Sequence, residues 1–350
     1  MTTQQIVDPE KIEPELIRIW EGLAKEKMRA CLFNLIVFNK LSKRTDYIRN
    51  IVQKVSEKYP CRVIFISSDA ESKTPYLKTA VSVVGDGNIA CDYIDIGVSG
   101  PDLQRVPFVL LPHIIPDLPV SLLWTEDPST EHDLFEPLTK LANRVIFDSE
   151  SADSLLAFSQ KVSKLRADTG VDTADLNWAR TEGWRDLIAS LFRSGENLDK
   201  LVDVRITYNA RPTESFCHLK VQSLYLLSWI SSRLNWTFKK ATKTLNFTFE
   251  KHNAEIHTAD WEKLGPGTII SVDLATTDNL LYQCSRVRTQ YHRVSIQISS
   301  PEKCELPYQF ILGQTATGQS LVKEIINKGT SEHYLQMLKN LEQLDRDRLC

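Results

Sequence analysis

Continuous apolar runs separated by helical spacing characterise the first half of the chain. Residues 30–38 and 61–66 are nearly unbroken apolar runs, and residues 47–55 between them repeat apolar side chains at steps of three and four behind Thr45. Strands buried on both faces have such unbroken runs, so the pattern predicts two parallel strands joined by a helix in a covered sheet. The same criteria predict further strands at 79–84, 91–96, 120–124 and 145–147, and helices at 9–28, 104–114, 132–142 and 152–164.

Alternation of apolar and polar residues replaces these runs in the second half. It predicts mainly antiparallel strands at 202–208, 237–249, 268–274, 281–288 and 293–298. Helical spacing predicts helices at 176–193, 215–234, 318–327 and 331–344.

The change of pattern predicts two domains in an α/β protein. Residues 1–165 are predicted to form an α/β domain with a Rossmann-like parallel or mixed sheet flanked by helices. The polar stretch 166–175 is the predicted linker. Residues 176–350 are predicted to form an α+β domain with a mainly antiparallel sheet, and a length of 350 residues agrees with two domains.

Charge and composition exclude several classes of protein. Lys plus Arg number 42 against 45 Asp plus Glu, a net charge of −3 that gives no surface for nucleic acid. No apolar run approaches the roughly 18 residues of a membrane span, so we expect no membrane partner. The amino terminus has no leader pattern, which predicts a cytoplasmic protein. The seven cysteines form no CxxC pair and are expected to be reduced thiols.

Motifs for cofactor chemistry are missing from the sequence. A dinucleotide needs a glycine-rich turn after the first strand, whereas residues 39–45 contain no glycine. There is no P-loop and no pair of ligands at zinc spacing. The sequence therefore predicts no cofactor, no metal and no catalytic residue.

One basic cluster is a candidate anion patch. Arg286 and Arg288 share a face of a predicted strand, and His292 lies in the turn that follows. A solvated sheet face is the alternative interpretation of the same residues.

Five short motifs, in order, resemble the OpcA family of bacterial glucose-6-phosphate dehydrogenase assembly proteins. They occupy residues 30–38 with 59–64, 109–112 with 116–124, 144–149, 175–187, and 227–234. The sequence departs from the family at Thr125, Glu126 and Asp127, where members often have a second Trp or Pro-Gly.

The resemblance implies a non-catalytic protein that binds glucose-6-phosphate dehydrogenase and favours its active oligomer in the oxidative pentose phosphate pathway. A different class, a sugar-phosphate-binding enzyme or sensor that uses Arg286 and Arg288, is the alternative. Cys61 is expected to be a buried small hydrophobe, with a redox role as its alternative. The candidate structural or partner-binding residues carried by the motifs are Cys61, Arg62, Asp117, Pro119, Trp124, Trp178, Trp184 and Arg185.

Overall fold

A computed structural model describes the chain at residues 4–23, 26–85, 88–192, 195, 198–214, 218–313 and 318–344. Its contacts divide the chain into two compact units. The first unit consists of Met1–Asp148, Leu165–Leu176 and Ala316–Gly329. The second unit consists of Ser149–Lys164, Asn177–Thr315 and Thr330–Cys350.

The first unit contains a mixed sheet flanked by helices. Its strands are β1 (Gln5–Val7), β2 (Met28–Arg29), β3 (Asn34–Lys40), β4 (Arg62–Ser68), β5 (Tyr76–Val84), β6 (Ile89–Ser99), β7 (Val120–Trp124), β8 (Arg144–Phe147) and β9 (Asp172–Asp175). Their order is β1-β5-β6-β4-β3-β7-β8-β9, with β2 beside β6. The helices are α1 (Ile12–Leu23), α2 (Thr45–Lys58), α3 (Val106–Leu110), α4 (Phe135–Leu141), the end of α5 (Leu155–Thr169), whose residues up to Lys164 belong to the second unit, and α9 (Gln319–Ile326).

The core of the sheet has the predicted parallel arrangement. β3 pairs in parallel with β4 and with β7, and β4 with β6. Helix α2 connects β3 to β4 and buries Ile48, Val52 and Val55 against the sheet, because apolar residues at three- and four-residue steps share one helix face. Leu321 of α9 belongs to the same core. The Rossmann-like α/β prediction is therefore confirmed.

Two segments of the first half differ from their predictions. Residues 166–175 do not form a linker loop, because residues up to Thr169 complete α5 and β9 pairs in parallel with β8. Strand β9 is polar and lies at the edge of the sheet. An edge strand pairs with one neighbour only, so its apolar pattern is weak. Residues 104–114 form α3 between two 3₁₀ turns rather than one helix, since Pro107 and Pro112 each remove a backbone donor.

The second unit is built on a mainly antiparallel sheet. Its strands are β10 (Leu201–Asn209), β11 (Phe238–Ala241), β12 (Asn246–Phe249), β13 (Asn253–Ala259), β14 (Ile269–Thr276), β15 (Leu281–Val287), β16 (Gln290–Ser299) and β17 (Tyr308–Ile311). Their order is β11-β12-β13-β10-β14-β15-β16-β17, and only β10 and β13 pair in parallel among the described strands. The helices are α6 (Leu176–Arg180), α7 (Glu182–Leu191), α8 (Val221–Arg233) and α10 (Glu332–Leu344).

One face of this second sheet is covered and the other is polar. In β15, Tyr282, Cys284 and Arg286 are buried, whereas Gln283 and Ser285 are exposed. Helix α8 is buried nearly all round, as predicted, and lies against α10 and β10. The mainly antiparallel prediction is therefore confirmed. The helix that corresponds to α8 was predicted to begin at residue 215, and residues 215–217 lie outside the described residues.

None of the helices described here has the length and apolarity needed to traverse a lipid bilayer.

Candidate functional site

A buried ionic network surrounds Arg62 at the start of β4. Its Nε and Nη2 groups donate to Asp92 Oδ2 at 3.0 and 2.7 Å, and Nη1 donates to Glu13 Oε1 at 2.8 Å. Trp20 Nε1 and Arg29 Nη2 also donate to the Asp92 carboxylate, each at 2.7 Å. Arg62 and Asp92 face each other on neighbouring parallel strands, so the register of the sheet brings them together.

The network keeps its carboxylates charged. Burial raises the pKa of Asp92, but the hydrogen bonds and positive charges of Arg29 and Arg62 outweigh it and lower the pKa overall. The hydrogen bond from His113 is the main reason that the pKa of Glu13 is lowered. With these partners satisfied, the network joins α1 to the sheet and offers no free acid or base.

Cys61 lies beside two other thiols. Its Sγ hydrogen-bonds to the thiol of Cys91, and this bond together with burial raises the pKa of Cys61 well above its usual value. Burial also raises the pKa of Cys31. Reactivity requires the thiolate, so a raised pKa favours the buried hydrophobe over the redox alternative for Cys61.

Asp117 and Pro119 lie on an exposed turn before β7. Asp117 has a left-handed backbone with φ of 65°, which Asp tolerates better than bulkier residues. Asn34 holds the turn, because its Nδ2 donates to the carbonyls of Ile115 and Leu118 at 3.1 and 3.3 Å. These two motif residues are accessible, whereas the other six are buried.

Trp124 ends β7 at the crevice where the strand order of the parallel sheet reverses. Its ring stacks on Phe38 with centroids 4.1 Å apart, and His132 contacts both rings edge-on. In open α/β sheets, this crevice is where ligands bind.

The chain's own side chains occupy the phosphate-binding position of that crevice. The backbone N–H of Lys40 donates to Glu126 Oε1 at 2.9 Å. Ser42 N–H donates to Thr45 Oγ1 at 3.0 Å, and Arg44 N–H donates to Ser42 Oγ at 3.2 Å. A pyrophosphate needs such donors to be open. The turn therefore has no glycine, and the N–H groups of Lys40, Ser42 and Arg44 already have acceptors within the chain.

In the second unit, Trp178 and Arg185 form one contact. The Arg185 guanidinium lies 3.4 Å from the centre of the Trp178 ring, and its Nη1 donates to the Trp178 carbonyl at 2.7 Å. Tyr334 packs against Trp178, with the centroids of the two rings 5.6 Å apart. All three side chains are nine-tenths buried or more, which favours the structural role for these motif residues.

The three residues of the candidate anion patch differ in burial. Arg286 is buried on the covered face with its guanidinium 5.5 Å from the Trp184 ring, so the solvated-face interpretation does not hold for it. Arg288 is exposed beyond the end of β15 and lies over Trp261 at 5.7 Å. His292 is half-buried, and its carbonyl accepts from Leu312 N–H at 2.9 Å.

Among the described residues, no group of three or more His, Cys, Asp or Glu side chains is arranged to hold a metal ion.

The sequence analysis missed two partners in the Arg62 network and did not recognise the contact made by Glu126 in the crevice. Asp92 stands inside an apolar strand, and a carboxylate in such a run requires a buried cation, which is a usable signal. Trp20 and Glu126 act through contacts 72 and 86 residues away along the chain, and no local pattern indicates them.

The fold and the crevice together define a Rossmann-like protein whose dinucleotide position is filled by its own side chains. Two family models match the chain: glucose-6-phosphate dehydrogenase subunit N-terminal domain at residues 52–166, and the C-terminal domain of the same subunit at residues 171–348. The chain belongs to this family, the OpcA family.

Curated cyanobacterial relatives carry the provisional name OxPP cycle protein OpcA. The Synechocystis protein is 28% identical over 224 residues, which are 59% of this chain and 42% of the relative. The Nostoc punctiforme protein is 27% identical over 201 residues, 53% of this chain and 40% of the relative. The matched region thus spans about two fifths of the length of these relatives.

Two of the solved structures that the chain resembles are named as oxidoreductases. A Desulfitobacterium hafniense protein with the provisional name NADPH-dependent oxidoreductase has a TM-score of 0.51 at 12% identity, covering 90% of this chain and 95% of that chain. An aldose-aldose oxidoreductase from Caulobacter crescentus has a TM-score of 0.49 at 11% identity, covering 90% and 97%. At 12% identity, the likeness to the Desulfitobacterium hafniense protein concerns the fold alone.

Proposed function

We propose that this protein is a non-catalytic assembly factor that binds glucose-6-phosphate dehydrogenase in the cytoplasm and favours its active oligomer. The observation that carries the proposal is the filled crevice of a Rossmann-like fold in a chain of this family. Glu126 accepts the Lys40 N–H at 2.9 Å, where a cofactor phosphate would have to bind. A fold that retains its sheet without an open cofactor turn is suited to act through its surface.

Such a factor works by differential affinity. If it binds the active oligomer more tightly than the separate subunits, mass action shifts the dehydrogenase toward the oligomer without any chemical step. The free energy of the equilibrium between separate subunits and active oligomer changes by the difference between the binding free energies of the factor for these two states.

We propose the segment 106–113 as the contact surface. Val106, Leu110 and His113 are buried and anchor it, whereas Phe108 and Leu111 point outward with 78% and 54% of their surface exposed. Phe108 is the one phenylalanine among the exposed large apolar side chains of the described chain. Exposed apolar side chains on an anchored segment lose little entropy on binding, which favours protein association.

The test combines association and activity. Tagged protein is mixed with the dehydrogenase of the same organism, and sedimentation velocity and dehydrogenase activity are measured during titration. We expect the wild-type protein to move the dehydrogenase to a larger species and to raise its activity. Unchanged sedimentation and activity with the wild-type protein would refute the proposed function.

The contact surface is tested separately with Phe108→Ser and Leu111→Ser. Removal of a central apolar anchor is expected to weaken association about tenfold or more. The matched control is Ile311→Ser, since Ile311 is 62% exposed on β17 of the second unit. Equal affinity of the wild-type, Phe108→Ser and Leu111→Ser proteins would place the contact elsewhere and leave the assembly role intact.

A further inference from the structure

Strand β17 has an open edge at one end of the second sheet. It is the last strand in the order of that sheet, and among the described strands it pairs with β16 only. Leu312 N–H donates to the His292 carbonyl at 2.9 Å, which fixes how hydrogen-bonded pairs alternate along β16 and β17. The backbone N–H and C=O of Phe310 therefore point toward β16, whereas those of Gln309 and Ile311 point to the open edge.

The side chains along this edge are apolar and accessible. Tyr308 and Phe310 lie opposite Ile296 and Val294, which are fully buried. Residues directly opposite each other in a sheet share a face, so Tyr308 and Phe310 continue the apolar row of the covered face. Tyr308 is nevertheless 47% exposed, Phe310 is half-buried, and Leu306 just before the strand is 90% exposed. The covered face thus extends to an edge where apolar side chains meet solvent.

The opposite edge of the same sheet is protected by charge. Strand β11 stands at that end of the order, and two of its four residues, Lys239 and Lys240, are exposed lysines. Lysines on an edge strand discourage pairing with another chain. Residues 306–311 contain no charged side chain. Strand β17 therefore lacks the protection that β11 has and can accept a further strand.

We propose that β17 pairs with β17 of a second copy of this chain and forms a two-fold symmetric dimer. Antiparallel pairing about an axis at Phe310 places Gln309 of one copy opposite Ile311 of the other. These are the two residues whose backbone groups point outward, so both pairs exchange N–H···O=C bonds without a shift of register. Because 306–311 is uncharged, no like charges meet. This self-complementarity is what a two-fold interface requires, and it favours a second copy as the partner.

The first experiment uses the full chain alone, since the proposal does not depend on the assembly function. Sedimentation velocity over a dilution series should show an equilibrium between monomer and dimer. Amide hydrogen exchange at Gln309 and Ile311 should slow as the concentration rises, because their N–H groups gain acceptors. The N–H of Phe310 already faces β16 and serves as the internal comparison. A monomer at every concentration, or exchange at Gln309 and Ile311 that ignores concentration, would overturn the proposal.

Charge variants at the two-fold axis separate association from folding. Phe310→Lys and Phe310→Glu each place like charges opposite each other and should weaken the dimer about tenfold or more. An equimolar mixture of the two variants should recover association, because unlike charges then face each other, and a folding defect would not be reversed by mixing. The matched control is Gln283→Lys, which adds the same charge at an exposed position of β15 and should dimerise like the wild type. Wild-type dimer stability in both Phe310 variants, or no recovery on mixing, would contradict the pairing.

The dehydrogenase is the other possible occupant of this edge, and the same variants distinguish it. If β17 serves the second copy, the chain alone dimerises and Phe310→Lys abolishes that dimer in the absence of dehydrogenase. If the chain alone stays monomeric and Phe310→Lys lowers its affinity for the dehydrogenase, the edge belongs to the dehydrogenase and the second-copy proposal is refuted.

Discussion

Removal of either partner from the Arg62 and Asp92 pair should destabilise the first unit strongly. Their side chains are 7% and 3% exposed, and two charge-assisted hydrogen bonds join them. When one member of a buried pair is lost, the other remains as an uncompensated charge, at a cost of about 3–5 kcal/mol. Arg62→Met and Asp92→Asn should each cost about 3 kcal/mol, because Arg29 and Glu13 remain as second partners.

A double-mutant cycle measures the interaction directly. Urea denaturation of the wild-type protein, the two single variants and the double variant gives the coupling free energy, which we expect to be about 2–3 kcal/mol. The control cycle uses Arg205 and Glu255, an exposed pair with side chains 56% and 42% accessible, which should couple by less than about 1 kcal/mol. A coupling below about 0.5 kcal/mol for the buried pair would refute the network.

Acidification provides an independent check of the same pair. The folded pKa of Asp92 lies below its unfolded value, so its contribution to stability is present above pH ~4 and is lost as pH falls through the folded pKa. The stability difference between wild type and Asp92→Asn should therefore narrow below pH ~4. A difference that stays constant down to the acid transition contradicts the assigned charge.

Further predictions concern Gly85, Gly22 and His132. Gly85→Ala should lower the free energy of unfolding by about 1–3 kcal/mol in denaturant titrations, because an added Cβ would lie 2.2 Å from the Ile89 carbonyl oxygen. In Gly22→Ala, on α1, the added Cβ meets nothing within 4 Å, so this substitution should raise the free energy of unfolding by up to about 1 kcal/mol. Similar effects of the two substitutions would contradict this. Burial lowers the folded pKa of His132, so its contribution is present above pH ~6.5 and is lost as pH falls toward the folded pKa. Tm should thus drop less between pH 7.5 and 5.5 in His132→Phe than in the wild type, and equal drops would disprove the assignment.

Hydrophobic patterning predicts the architecture because burial acts on whole elements. The runs at 30–38 and 61–66 indicate β3 and β4, and the alternation in 281–288 indicates β15. Short edge strands such as β1 and β17 were missed, because an edge strand pairs on one side only and needs no apolar run.

Candidate sites were less predictable, since they depend on contacts between distant positions. Arg286 was recognised as basic, but its burial beneath Trp184 depends on the packing of α7 on the sheet. Glu126 was noted as a departure from the family, yet its bond to the Lys40 N–H requires the two loops to meet at the crevice. Residue type can be read locally, whereas the partner of a polar group depends on the tertiary fold.

Helix α9 has a consequence for how the first unit is made during synthesis. Its Leu321 is fully buried in the core of that unit, and Arg144 donates to Glu324 at 2.8 Å and to the Gly329 carbonyl at 2.8 Å. A nascent chain lacking these residues leaves a buried guanidinium and an apolar surface without their partners. The first unit therefore cannot mature until the segment from Leu321 to Gly329 has left the ribosome, and a fragment that stops near residue 176 should aggregate.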